Sequence, residues 1–205
     1  HVSGARIAIV DDQAEVRRAL GELLGVYGYV TELFETADAL LEATVDEKFA
    51  CIVSDVRMPG MDGVELVRRL GERKPAIPVI LISGHADIPM AIAAIRSGAE
   101  DFIEKPVDDI KLVAAINRGL ARAAQINAAE KTSRESETRF DNLTTREREV
   151  FDLVVEGHTS PVIAKTLGIS SRTVESYRAQ IMDKLQIDNV ASLVRLAIRL
   201  GRIAP

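Results

Sequence analysis

The sequence predicts an α/β domain, built as a doubly wound five-stranded parallel sheet, followed by a small all-α helix-turn-helix domain. Three observations carry that prediction. First, the runs Arg6-Ile7-Ala8-Ile9-Val10, Cys51-Ile52-Val53-Ser54-Asp55 and Pro78-Val79-Ile80-Leu81-Ile82 are apolar and rich in β-branched residues, with no polar alternation. Strands of a parallel sheet, buried on both faces, read this way. Second, segments of helical period separate these runs, and strand–helix alternation builds a sheet covered on both sides. Third, short amphipathic segments punctuated by Gly157 and Gly168 fill the C-terminal third. Two short helices joined by a tight Gly turn make a helix-turn-helix.

The elements follow in order. Asp11-Asp12 closes the first run, and Gln13–Val26 places Val16, Leu20, Leu23 and Leu24 at helical spacing. Tyr29–Phe34 reads as a strand. Thr36 caps a helix that holds Leu40 and Leu41. The run ending at Asp55 comes next, then a turn rich in Pro and Gly. Gly63–Arg73 is helical, with Val64, Val67 and Leu70 inward, and Pro75 and Pro78 close it. Ser83-Gly84 ends the fourth strand. Ile88–Arg96 is a short helix ending at Gly98. Asp101-Phe102-Ile103-Glu104 is a short fifth strand that runs into Lys105-Pro106. Asp108 caps a helix with Ile110, Val113, Ala114 and Ile116 inward. Ala121 to Phe140 contains no Gly or Pro, so this helix is expected to run on as an arm.

The second domain opens on Thr144, followed three residues later by Glu147, a capping box. Val150, Phe151, Leu153 and Val154 supply the apolar face of the first helix, which ends at Gly157. Ser160 is expected as the N-cap of the next helix, with Pro161 at its first position. Ile163, Ala164 and Leu167 face inward, and Gly168 terminates it. Ser170 or Ser171 caps a helix over Arg172–Leu185, with Val174, Ile181 and Leu185 as its buried stripe. The last helix, Val190–Leu200, is apolar on more than one side. A small domain buries one stripe of a terminal helix, so Val190, Val194 and Ala197 are candidates for a dimer interface. The boundaries expected are 5–123, a helical linker at 124–140, and 141–205.

Hydrophobic residues make up 47% of the 205 and charged residues 28%, ordinary values for a globular protein. No apolar run approaches a membrane span and no signal-peptide pattern opens the chain, so a cytoplasmic location is expected. Cys51, the single cysteine, excludes an intrachain disulfide and a zinc cluster, and reads as a small buried hydrophobe. Met58, Met61 and Met90 read as packing, and His85 and His158 as surface residues. Charge is uneven. Residues 1–120 carry a net −7 and residues 143–205 a net +2, within a total of −5. Nucleic acid would therefore meet the C-terminal part.

In an open α/β sheet, ligands bind outside the carboxyl ends of the strands. Neighbouring parallel strands would bring together there the carboxylates of Asp11, Asp12 and Asp55, the Ser83 hydroxyl and the Lys105 ammonium. Three acids that close repel one another unless a cation lies between them. Hard oxygen ligands suit Mg²⁺. A carboxylate beside a metal and a lysine is a receptacle for a phosphoryl group: the carboxylate is the nucleophile and the cations take up charge on the phosphoryl oxygens.

These motifs resemble a known family. Asp-Asp after the first strand, D-x-R-M-P-G-M-D-G after the third, S-G after the fourth and F-x-x-K-P at the fifth resemble a bacterial response-regulator receiver domain over about residues 5–123. The C-terminal T-x-R-E-R-E-V, I-A-x-x-L-x-I-S and T-V-x-x-Y-x-x-x-I-x-x-K-L resemble the helix-turn-helix of the FixJ/NarL group. The resemblance implies strand order 2-1-3-4-5. It implies Asp55 as phosphoacceptor, fed by a histidine kinase, and Mg²⁺ on Asp11, Asp12, Asp55 and the Arg57 backbone carbonyl. It implies that Ser83 bonds the phosphoryl group and that Phe102 turns inward in response. Lys105 adds a second fixed positive charge, and its place before Pro106 favours a fixed geometry, with a cis peptide there. It implies a homodimer on a two-fold double-stranded DNA site, acting on RNA polymerase.

On Arg172–Leu185, the residues Arg172, Glu175, Ser176 and Ala179 lie away from the buried stripe. By the family pattern, 175, 176 and 179 point at bases. Many members have Lys at 175 and 179, so Glu175 and Ala179 imply a different operator, since Glu accepts from cytosine where Lys favours guanine. Thr159, Ser160, Tyr177, Arg178 and Lys184 are candidates for phosphate contacts. Two other readings compete with a transcription factor. One is a phosphohydrolase with an aspartyl-phosphate intermediate, which usually carries a second acid two residues after the nucleophile. That position is Arg57, which cannot act as an acid at neutral pH. The other is a constitutive DNA-binding or scaffold protein with a vestigial receiver.

Overall fold

The computed structural model describes residues 4–43, 49–73, 77–84 and 88–204. The chain divides into two compact units, His1–Asn127 and Ala128–Pro205. In the first, β1 (Arg6–Val10), β2 (Val30–Phe34), β3 (Cys51–Asp55), β4 (Val79–Ser83) and β5 (Asp101–Glu104) form one sheet. Its order is β2-β1-β3-β4-β5 and every pair is parallel, as the resemblance implied. Helices α1 (Ala14–Val26), α2 (Ala37–Glu42), α3 (Gly63–Arg73), α4 (Ile88–Arg96) and α5 (Asp109–Asp141) alternate with the strands. Pro75 and His85 lie outside the described residues.

Successive strand residues point to opposite faces, and both faces are filled. Ala8, Val10, Ile52, Val79 and Leu81 meet Leu40 of α2, Leu66, Val67 and Leu70 of α3 and Ala94 of α4. Ile7, Ile9, Cys51, Val53, Ile80 and Ile82 meet Leu20 and Leu24 of α1 and Leu112, Val113, Ala115 and Ile116 of α5. This is why β1, β3 and β4 read as apolar runs. Burial also pushes the Cys51 thiol well above its ordinary value, which keeps it inert.

One helix departs from its expected setting at two positions. Ile110, expected inward, is 73% exposed, and Ala114 is only half-buried. Val113 and Ile116 are buried as expected, and Leu112, Ala115 and Gly119 complete the buried face. A Cβ at Gly119 would lie 2.6 Å from the Pro78 Cβ. The helix therefore approaches the sheet along its smallest residues, which turns Ile110 outward. Asp108 accepts the Lys111 N–H at 3.1 Å, as a cap should. Beyond the first unit α5 continues without a break to Asp141, as the absence of Gly and Pro suggested.

The second unit holds α6 (Thr145–Val155), α7 (Ser160–Leu167), α8 (Ser171–Leu185) and α9 (Val190–Arg199). Phe140 and Leu143 already belong to its core, with Phe151 edge-on to Phe140 at 4.9 Å. The capping box forms: Thr144 Oγ1 accepts the Glu147 N–H at 3.2 Å, and Glu147 accepts the Thr144 N–H at 2.8 Å. Gly168, at φ 67°, makes the left-handed turn between α7 and α8. Ser170 caps α8 by accepting the Thr173 N–H at 3.1 Å.

Two expectations are corrected here. The N-cap of α7 is Thr159, without a side-chain cap bond; Ser160 is the first helical residue and is buried, its hydroxyl turned toward α8. On α9 the buried stripe is Leu193, Leu196 and Ala197. Ala197 is completely buried in its own domain's core, so it cannot form part of a dimer surface. Its small side chain marks where α9 packs closest. Val190 remains exposed and Val194 half-buried.

Candidate phosphoryl site and nucleic-acid interface

The strand order carries β1 and β3 side by side, with Val10 level with Ser54. Asp11 and Asp55, one residue further along each strand, therefore emerge together at the carboxyl edge. Both are buried, at 1% and 7% exposure, and Asp12 is half-buried. Lys105, just past β5, reaches them across β4. Its Nζ lies 3.0 Å from Asp55 Oδ1 and 3.2 Å from Asp11 Oδ2. The other oxygens are held by backbone: the Arg57 N–H donates to Asp55 Oδ2 at 3.1 Å, and the Gln13 N–H donates to Asp11 Oδ1 at 2.8 Å. Arg17 braces the same loop by donating to the Asp11 carbonyl at 2.6 Å.

Ser83 ends β4, buried beside this group, and its carbonyl accepts the Lys105 N–H at 2.8 Å. Phe102 is half-buried on β5 and packs against the core under α3 and α4. The Lys105–Pro106 peptide is cis. Burial pushes the Asp55 carboxyl above its ordinary value; Lys105 pulls it back in part, while the Asp11 carboxylate adds to the rise. Burial would lower the Lys105 ammonium, but its bond to Asp55 and the charge of Asp11 outweigh that and raise it. The site is a pair of buried carboxylates sharing one cation.

Among the described residues, no three His, Cys, Asp or Glu side chains form a group ready to hold a metal. The donor chemistry still suits a hard cation. The buried carboxylates of Asp11 and Asp55 meet at one edge, half-buried Asp12 follows Asp11 in the chain, and each carboxylate oxygen keeps lone pairs beyond the bonds described.

In the second unit, α8 presents Arg172, Glu175, Ser176 and Ala179 to solvent, opposite the buried Val174, Ile181 and Leu185. Thr159 is exposed at the start of α7. A short helix ahead of an exposed second helix is the arrangement that places the second in a DNA major groove.

Comparison with known proteins agrees with both halves. Residues 7–117 match the family model described as response regulator receiver domain, and residues 141–197 match that of bacterial regulatory proteins, luxR family. The chain belongs to the response regulators. It is 39% identical to the transcriptional regulatory protein FixJ of Bradyrhizobium diazoefficiens, over 96% of each chain. It is 41% identical to FixJ of Azorhizobium caulinodans, over 97% of this chain and 94% of that protein. Among solved structures, the response regulator StyR superposes with a TM-score of 0.81 at 38% identity, covering 95% of this chain and 98% of that one. Full-length FixJ from B. japonicum gives 0.59 at 38% identity, covering 98% and 100%.

Within this response regulator, the structure brings Asp11, Asp55, Lys105 and Ser83 to one edge. It gives several DNA-facing candidates other partners. Lys184, expected on phosphate, forms a 2.8 Å ion pair with Glu147, which is buried at the start of α6. Tyr177 is half-buried against the helical core. Ser160 bonds to both Glu175 and Arg178. Burial would raise the Glu147 carboxyl, yet Lys184 and the two bonds with Thr144 outweigh it and hold it below its ordinary value. The sequence signals the capping half of Glu147's role. Its ion pair spans 37 residues and has no local signature. Arg17 was likewise missed, since a lone Arg on an exposed helix turn gives no sign that it braces a loop.

Proposed function

We propose that Asp55 accepts a phosphoryl group from the phosphohistidine of a sensor kinase, and that this event controls DNA binding by the C-terminal domain. The observation that carries the reading is the placement of Lys105 Nζ between Asp55 and Asp11, at 3.0 and 3.2 Å. An Asp55 oxygen attacks phosphorus, the P–N bond breaks, and the electron pair leaves on the kinase imidazole. Lys105 offers its charge to the oxygens of the incoming group and frees the carboxylate it now holds. Asp11, Asp12, Asp55 and the Arg57 carbonyl would hold Mg²⁺, which when bound neutralises charge on the phosphoryl oxygens. The Ser83 hydroxyl would donate a hydrogen bond to an oxygen of the new phosphoryl group, and Phe102 would turn inward in response.

The output is then a homodimer, using Val190 and Val194 among its contacts, on a two-fold DNA site, where it acts through RNA polymerase. The described residues include no helix long and apolar enough to cross a membrane, which fits action in the cytoplasm. Phosphorylation by a small-molecule donor with Mg²⁺ tests the assignment. Wild-type chain should gain an acid-labile aspartyl phosphate, and Asp55→Asn should gain none. Labelling of the variant at the wild-type rate would refute it. Sedimentation with beryllofluoride, a phosphoryl mimic, reads the second step as a shift toward dimer that Asp55→Asn loses.

A further inference from the structure

Glu175 lies on the exposed side of α8, where family likeness would make it a reader of bases. Its carboxylate is engaged from within the domain instead. Ser160 Oγ donates to Glu175 Oε1. Arg178 Nη1 donates to the same Ser160 Oγ at 3.1 Å and approaches Glu175 Oε1 to 3.9 Å. Glu175 and Arg178 are three apart on one helix and so are surface neighbours. Ser160 reaches them from the first turn of α7 and is only 8% exposed.

The hydroxyl has one proton and two lone pairs. Its proton is committed to Glu175 and a lone pair to Arg178. Swinging Glu175 out to a cytosine would strand a buried donor, and an unmade buried hydrogen bond costs more than an exposed one returns. It would also bring an uncompensated negative charge toward the phosphates, while Arg178 lost its nearest carboxylate. Held in the cluster, the same carboxylate orients the guanidinium, which keeps further N–H donors for another acceptor.

We propose that Ser160, Glu175 and Arg178 act as one unit that ties α7 to α8 and aims Arg178 at a DNA phosphate, so that Glu175 is a positioning residue and not a reader. Base readout then falls to Arg172, Ser176 and Ala179, with the Ala179 methyl suited to a thymine methyl. This inference rests on the DNA-binding reading above.

The test is binding of the full chain, with Mg²⁺ and beryllofluoride, to duplexes selected from a randomised pool, followed by affinity against salt on the selected site. Glu175→Gln keeps an acceptor for Ser160, so its base preference should match wild type at every position. Glu175→Ala and Ser160→Ala should each weaken all sequences alike, by about tenfold, and lower the salt slope by about one phosphate contact. The double variant should be no weaker than either single. Circular dichroism confirms that each variant is folded. A changed preference at one base pair in Glu175→Gln, or losses that simply multiply in the double variant, would overturn the proposal. If wild-type chain selected no sequence at all, the DNA-binding reading itself would fall, a result distinct from either.

Discussion

Replacing Gly63 with alanine probes how tightly the start of α3 is pressed against the phosphoryl site. A Cβ at Gly63 would lie 2.6 Å from the Asp55 carbonyl oxygen, 2.9 Å from Leu81 Cδ2 and 3.0 Å from Val56 Cα. Two of these neighbours are backbone, and the Gly63 N–H already donates to the Val56 carbonyl at 2.9 Å. Neither can retreat without moving the end of β3, and Asp55 with it. Forcing a methyl group into such a contact costs about 1–3 kcal/mol. Gly71, in the same helix, has nothing within 4 Å of its would-be Cβ. There alanine should stabilise by about 0.5–1 kcal/mol through helix propensity alone. The assay is urea unfolding of the full chain by circular dichroism, with amide exchange across β3 to read the first unit separately. Phosphorylation rate should fall in Gly63→Ala and stay unchanged in Gly71→Ala. Equal stability of the two variants, with phosphorylation intact in both, would refute the reasoning.

Other perturbations separate neighbouring residues in the same way. Ile110→Ser should change unfolding free energy by less than about 0.5 kcal/mol, whereas Leu112→Ala, two residues along the same helix, should cost about 2–5 kcal/mol. Val194→Lys should leave the melting temperature near wild type while preventing the activated dimer in sedimentation. The folded Glu147 carboxyl titrates below its unfolded value of about 4.3, so its stabilisation is present above that pH and is lost as pH falls through the folded value. Glu147→Gln should therefore unfold more easily at pH 7, by about 1–3 kcal/mol, and the gap should narrow in acid titrations as pH falls below the unfolded carboxyl value of about 4.3.

Much of the fold could be read from side-chain size and polarity, because a parallel sheet buries both faces and ends at a functional edge. Asp11 and Asp55 close apolar runs and Lys105 follows the short fifth strand, so an edge of like charges with one cation could be inferred before any contact was known. Two of the failures share a cause. Ile110 is expected inward and Ala197 on an outer face, yet the faces that pack are Leu112, Val113, Ala115, Ile116 and Gly119 on α5, and Leu193, Leu196 and Ala197 on α9. Small residues carry little hydrophobic signal, but they occupy the places where a helix lies closest to its neighbour. Two overlapping stripes then fit one helical period, and the bulkier one draws the wrong assignment. Ser160 fails for a different reason. A serine before a proline reads as a cap, and nothing in the sequence reveals a carboxylate 15 residues later that takes its proton.

The same accounting of partners bears on how phosphorylation could control DNA binding. The C-terminal part carries only a small positive excess, +2 over residues 143–205. Of its candidate phosphate contacts, Lys184 is already paired with Glu147, while Arg178, held by Ser160, keeps further N–H donors. Affinity for DNA grows with the number of phosphates neutralised, so one copy of this domain has few contacts to spend. A weak single domain is the property that makes pairing decisive. When two copies are joined, the second binds at the effective concentration set by the first, and avidity can exceed either affinity by roughly 10²–10⁴. A strongly basic domain would hold DNA alone and leave the receiver little to regulate. The modest charge, and the Glu147 carboxylate that already occupies part of it, therefore fit a chain in which the state of Asp55 governs occupancy through pairing.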